Sequence, residues 1–305
     1  MMMVSAGSGT GCHTECGRRP VNQDAVLAVR LSDGRELVAV ADGMGGHSAG
    51  EVASRRALEV VWQQLKAGVD LRSAVRAANV SIHAAAEGNP GWSGMGTTLV
   101  AMLRTADRYE IANVGDSRAY RITVNEVSQL TTDHSFAAEA MQHARLGNDT
   151  IAQSRWRNAL TRALGTDVDV DVDVFGPFDT SEPHAVLLCT DGLYRTLSED
   201  VLRENVWSAA DPWTAARALA SEAYRSGSSD NISAAVVVFA GSAHDHVHSE
   251  THAAHADPIR FEPQAAPQRK RRRRRKSRHT RRVELQLAAT IGLLIIVVAI
   301  LMRVW

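Results

Sequence analysis

Five aspartates in this chain share one context, and that context constrains the fold more than any other feature. Each lies at the edge of an apolar run, beside Gly or Asn: Asp24 in VNQDAVLAV, Asp42 in VAVADG, Asp116 in IANVGDSR, Asp191 in VLLCTDGL and Asp230 in GSSDNISAAVVV. Taken singly, each reads as a turn residue or a helix cap, because Asp-Gly and Asp-Asn pairs mark turns. Taken together, they bring carboxylates to the ends of buried strands, which is costly unless cations compensate the charge. Oxygen donors, including a glycine carbonyl such as that of Gly43, suit Mg2+ or Mn2+. The five point to a metal site.

The hydrophobic pattern supplies strands to carry them. Residues 24–30 and 36–41 read as two strands joined by Asp33-Gly34, a hairpin signal. Apolar positions Val52, Ala53, Ala57, Val61 and Leu65 recur at helical spacing, as do Leu71, Val75, Ala78, Ile82 and Ala85. Short strands are predicted over 97–103, 109–114, 117–122 and 126–130. A polar, partly helical stretch covers 134–165. The alternation DVDVDVDVF, 167–175, predicts a strand with one acidic face, and AVLLCT, 185–190, a buried one. Helices near 198–207 and 212–225 precede a last strand at 232–239. Strands that pair locally, with helices in two blocks, predict layered α+β structure rather than alternating βαβ units.

The zero formal net charge conceals a segregation. Residues 1–268 carry 22 Lys/Arg against 33 Asp/Glu, whereas 269–305 hold 12 Lys/Arg and one acid, Glu284. An acidic body argues against nucleic-acid binding by the globular part. Three cysteines, Cys12, Cys16 and Cys189, make no disulfide framework, and Cys12-His13 with Cys16 lack a second ligand pair for zinc. The opening MMMVSAGSGTG lacks the basic and apolar regions of a signal peptide.

Beyond Gly241 the composition changes. Residues 1–9 read as a flexible N-terminus, 10–241 as one catalytic domain and 242–268, rich in His, Ala and Pro, as a disordered linker. A basic juxtamembrane segment, 269–284, leads into an anchor, 285–305. The run from Leu285 to Met302 is uncharged over 18 residues; at ~1.5 Å per residue it reaches about 27 Å, one bilayer crossing. The adjoining basic block favours the cytoplasmic side. The expectation is a single-pass C-terminal anchor in the cell membrane with the catalytic domain in the cytoplasm.

The ordered set RPVNQD (19–24), ADGMGGHSAGEVAS (41–54), GTTLV (96–100), NVGDSRAY (113–120), LTTDHS (130–135), NALTRALG (158–165), LLCTDGLY (187–194) and SSDNIS (228–233) resembles the bacterial branch of the metal-dependent protein phosphatases, PPM or type 2C. The resemblance implies an α-β-β-α sandwich of two antiparallel sheets flanked by helices. It implies that Asp24, Asp42, the Gly43 carbonyl, Asp191 and Asp230 hold two Mn2+ or Mg2+ ions. Asp116, with Asp191, would reach a third, weaker one. Arg19 would grip the substrate phosphate, and 134–165 would form a flap beside the site. A water bridging the two ions would be deprotonated near neutral pH and attack phosphorus in line. The implied activity is hydrolysis of phosphoserine and phosphothreonine in proteins, opposing a serine/threonine kinase. Two rivals stand beside it: a catalytically weak phosphoprotein-binding module at the membrane, and a hydrolase of small phosphate esters. The chain departs from the family pattern at Gln23, where many members have Glu, and at Met44, where eukaryotic members have His. The leaving-group acid is left unassigned, with His47 placed as a structural residue at a helix start.

Overall fold

Asp33-Gly34 sets the first register of the fold. Gly34 takes a φ of 87°, and the Leu31 N–H donates to the Arg35 carbonyl at 2.7 Å. The turn folds β2 (Asp24–Arg30) back on β3 (Glu36–Met44), so that Arg30 faces Glu36 and, at the far end, Asp24 faces Asp42. Directly opposed residues of an antiparallel pair project to the same side of the sheet. The hairpin alone therefore brings the first two carboxylates together.

The structure is a computed structural model that describes residues 8–46, 48–142 and 159–241. β3 also pairs with β4 (Gly96–Thr97) and β5 (Leu99–Arg104), and β6 (Arg108–Val114) and β9 (Asp173–Asp179) complete a sheet of order β2-β3-β5-β6-β9. A second sheet has the order β1-β11-β10-β7-β8, built from β1 (Gly9–Glu15), β7 (Arg118–Ile122), β8 (Val127–Gln129), β10 (His184–Cys189) and β11 (Ile232–Phe239). All pairings are antiparallel. Two long helices, α1 (Ala49–Lys66) and α2 (Leu71–Gly88), cover the first sheet. After α3 (Phe136–Gln142) and the short α4 (Asp191–Tyr194), α5 (Glu199–Ser208) and α6 (Pro212–Arg225) cover the second.

Three apolar layers hold this stack together. Val38, Val40, Val100 and Met102 meet Val186, Leu188, Ala235 and Val237 between the sheets. The alternate residues Leu37, Ala39 and Ala41 turn instead towards Ala57, Leu58 and Val61 of α1. Leu187 and Val236 turn towards Leu202 and Leu219 of α5 and α6. Strands buried on both faces read as continuous apolar runs, which is why 36–41, 185–190 and 232–239 show no alternation. The predicted α-β-β-α order holds for the described residues.

Several expectations are corrected. GTGCHTE, from residue 9, forms the edge strand β1 on β11, so the region before residue 10 is not all flexible. The strand expected over 167–175 begins only at Asp173. Asn79 Nδ2 takes the Asp167 and Val168 carbonyls and Arg72 takes that of Val172, so side chains of α2 replace a strand partner there. Val170 and Val172 are buried and Asp169 and Asp171 exposed, whereas Val168 is exposed like Asp167, so the alternation holds only from Asp169 on. The 97–103 strand is interrupted at Thr98. Among the described residues no helix is long and apolar enough to cross a membrane. The linker, the basic segment and the 285–305 anchor lie outside the described residues, as do His47 and the middle of the expected flap.

Candidate active site

Asp42 lines a cleft, and Asp24 is its partner across the hairpin. Asp24 is buried; its Oδ2 accepts from the Thr190 hydroxyl at 2.9 Å and the Ser233 hydroxyl at 2.6 Å. Ser233 and Thr14 hydroxyls are 2.7 Å apart, and Asn22 Nδ2 donates to Thr14, so a chain of hydrogen bonds fixes Asp24 from behind. Asp42 keeps an opening to solvent. Its backbone is clamped by Thr97 of β4 and by Thr98 in the break before β5: its N–H donates to Thr98 Oγ1 at 2.9 Å, and its carbonyl accepts from Thr98 N–H and the Thr97 hydroxyl.

Neither Asp-Gly pair is a simple turn. The strand β3 continues through Asp42 and Gly43 to Met44, pairing Gly43 with Thr97. A Cβ on Gly43 would lie 2.1 Å from the Gly50 carbonyl oxygen, so the glycine exists to let α1 approach. Asp191 opens α4 rather than ending a strand, and a Cβ on Gly192 would lie 2.0 Å from the Asn231 carbonyl oxygen. In both places a side chain is excluded by a neighbouring backbone, and the preceding aspartate is thereby held in the cleft.

The remaining carboxylates enter from the second sheet and its connections. Asp116 follows Gly115, whose φ is 101° and whose N–H donates to Nδ1 of buried His134 at 3.0 Å. Asp230 precedes β11, and Asn231 bonds the carbonyls of Cys16 and Val21 and the N–H of Gln23. Asn231 thus ties the Arg19 loop to the site. Arg19 is exposed at the rim, with Nη2 2.8 Å from Asp230 Oδ2 and Nε on the Ser229 carbonyl. A cavity of about 590 Å³ opens above, lined by Asp42, Asp116, Asp191 and Asp230, with Met44 and Arg162 on its walls.

Burial, with crowding as the lesser cause, makes these acids hard to ionise. Burial, reinforced by Asp191 and Asp230 and opposed by the Ser233 and Thr190 hydroxyls, raises Asp24 to about 7. Burial, with Asp24 and Asp191 nearby, lifts Asp42 well above the usual carboxylate range. Burial raises Asp191 to about 6 against the pull of Arg195, and lifts Asp116 in the same way.

The predicted ligands are neighbours but do not form a finished cage. Among the described residues no three carboxylate, imidazole or thiol groups close on one point. Arginines hold three of the carboxylates instead, Arg19 on Asp230 and Arg195 on Asp116 and Asp191. The residues nevertheless fit a divalent ion. Asp24 Oδ1 and Asp191 Oδ1 are buried with no hydrogen-bond partner, and the donor set is all oxygen, as hard cations require.

Gln23 Nε2 bonds the Gly45 carbonyl, giving it a structural contact inside the glycine turn. Thr190, Ser233, Thr98, Asn231, His134 and Arg195 were not singled out from the sequence as site residues. Only Arg195 carried a signal, its place four residues after Asp191.

The likeness to known proteins agrees with this geometry. The Protein phosphatase 2C family profile matches residues 16–231. The chain is 36% identical over 236 residues to a serine/threonine phosphatase, stp, of Listeria monocytogenes, covering 73% of this chain and 93% of that protein. It is 33% identical over 225 residues to the serine/threonine protein phosphatase PstP of Mycobacterium tuberculosis, covering 72% of this chain and 42% of that one. The crystal structure of the serine/threonine phosphatase Stp1 from Staphylococcus aureus superposes with a TM-score of 0.68 at 28% identity, covering 78% of this chain and 97% of that one. The chain belongs to the protein phosphatase 2C family of enzymes.

Proposed function

We propose that this chain is a metal-dependent protein serine/threonine phosphatase, acting on phosphoserine and phosphothreonine monoesters at a membrane surface. The observation that carries the reading is the pair of unpartnered buried carboxylate oxygens: Asp191 Oδ1 on the cleft lining and Asp24 Oδ1 on the strand partner of Asp42, which lines the same cleft. Asp24, Asp42, the Gly43 carbonyl, Asp191 and Asp230 would hold two Mn2+ or Mg2+ ions. Such ions supply Lewis-acid stabilisation of phosphoryl charge and a water acidic enough to be deprotonated near neutral pH.

The chain's own residues do the rest. Thr190 and Ser233 hold Asp24 by its Oδ2, leaving Oδ1 for a ligand role. Thr98 fixes the Asp42 backbone. Arg19 keeps Nη1 without a partner among the described residues, at an exposed rim where it can fork onto phosphoryl oxygens. No described histidine lines the cavity, so no imidazole acid is assigned to the leaving alkoxide.

Membrane work rests on sequence: the basic run 269–282 and the uncharged stretch 285–302 suit a tethered enzyme whose body faces the cytoplasm, where a serine/threonine kinase or its targets would be substrates. The test compares a phosphothreonine peptide, a phosphotyrosine peptide and a small aryl phosphate with Mn2+ present. The reading expects kcat/KM to favour the phosphothreonine peptide; preference for the aryl ester would move the assignment to small phosphate esters, and binding without turnover to a recognition module.

A further inference from the structure

Arg195 sets a single nitrogen between two carboxylates of the cleft. Its Nη2 lies 2.9 Å from Asp116 Oδ2 and 3.2 Å from Asp191 Oδ2. Every other arginine ion pair among the described residues engages one carboxylate, as Arg118 does when it forks onto Asp133. One positive point shared by two aspartates is the arrangement a divalent cation takes when it bridges them. Here a guanidinium takes it.

The position is built rather than incidental. Asp191 and Arg195 are four residues apart across α4, and the Arg195 N–H closes that turn on the Asp191 carbonyl at 3.1 Å. Tyr194 reaches Asp116 Oδ2 with its hydroxyl at 3.5 Å, while Arg118 stacks on the Tyr194 ring at 3.8 Å. Arg118 is in turn locked on Asp133, so the segment that carries Arg195 is pinned. Asp116 is only 5% exposed, and solvent does little to compensate its charge.

We infer that Arg195 is an internal cation that closes the Asp116–Asp191 seat to a further divalent ion, limiting this chain to the ions held by Asp24, Asp42, Asp191 and Asp230. An ion entering that seat would have to expel a guanidinium that never loses its charge. Arg195 is therefore a positioning residue that sets metal stoichiometry, and Asp116 serves as its counter-charge.

The inference rests on the metal-dependent reading, and Mn2+ titration of the full chain separates the two. EDTA-stripped protein is dialysed against graded Mn2+ and bound metal is counted per chain, with calorimetry in parallel. The expected result is two Mn2+ for the native chain and for Arg195→Lys, against three for Arg195→Gln, the third at least tenfold weaker than the others. In EDTA, Arg195→Gln should also melt below the native chain, and recover only at Mn2+ concentrations that fill the third site. A third equivalent on the native chain overturns the inference without any variant, and two equivalents on Arg195→Gln overturn it as well. No Mn2+ on the native chain would remove the metal-dependent reading itself and the inference with it.

Discussion

Asp24→Asn should stabilise the metal-free protein while removing its activity. Burial chiefly, with Asp191 and Asp230 adding to it, raises Asp24 from 3.8 to about 7. A carboxyl whose pKa is raised on folding binds its proton more tightly in the folded state. Above the folded value both states are ionised, and the fold bears the cost of a buried charge. That cost is absent below about pH 4, grows between about pH 4 and 7, and is complete above about 7. Three pKa units at 1.36 kcal/mol each set a ceiling of about 4 kcal/mol at pH 8. Relaxation around the site brings the expected gain to roughly 1–3 kcal/mol, or about 3–10 °C in Tm for a domain of this size. Asparagine keeps an oxygen for the Thr190 and Ser233 hydroxyls and directs its amide towards the place of the unpartnered Oδ1. Melting in EDTA at pH 8 and pH 5 is the assay. Asp24→Asn should melt higher at pH 8, lose most of that advantage at pH 5 and turn over phosphopeptide orders of magnitude more slowly with Mn2+. A lower Tm at pH 8 without metal would refute the claim that the native carboxylate is held there against its own preference.

Other perturbations test other parts of the account. Gly192→Ala places a Cβ 2.0 Å from the Asn231 carbonyl oxygen, so it should cost about 2–3 kcal/mol in urea unfolding and lower kcat; an unchanged midpoint would contradict the close approach of α4 and β11. Arg19→Ala should raise KM for phosphopeptide more than it lowers kcat, because the role proposed for Arg19 is to bind phosphate and not to activate water; a pure kcat effect would contradict this. Deleting 269–305 should release the enzyme from membranes with kcat on a short peptide nearly unchanged, since every proposed ligand lies at or before Asp230; full-length protein that is soluble without detergent would contradict the tether.

The hairpin that opposes Asp24 and Asp42 was legible because Asp33-Gly34 is a strong turn signal between two apolar runs. That β3 runs on to Met44 was not legible, because Asp-Gly normally ends strands, and here Gly43 is needed for the approach of Gly50 instead. DVDVDVDVF misled for a related reason: two side chains of α2, Asn79 and Arg72, capture carbonyls that a strand neighbour would take, and such long-range partners leave no local mark. The aspartates could be chosen because charge at the edge of an apolar run is conspicuous. Thr190, Ser233 and Asn231 could not, because hydroxyls and amides at strand ends are common and their partners are more than 150 residues away in three contacts that fix the site. Arg195 lay in plain view beside Asp191, but its second carboxylate, Asp116, is set by the fold alone.

Metal-dependent hydrolysis is the central claim, and phosphate release from a phosphothreonine peptide by EDTA-stripped protein tests it most directly. The account predicts no turnover above background without metal, recovery on adding Mn2+ or Mg2+, and no recovery by Asp191→Asn at the same ion concentration. Full turnover by protein shown to contain no divalent metal would contradict it.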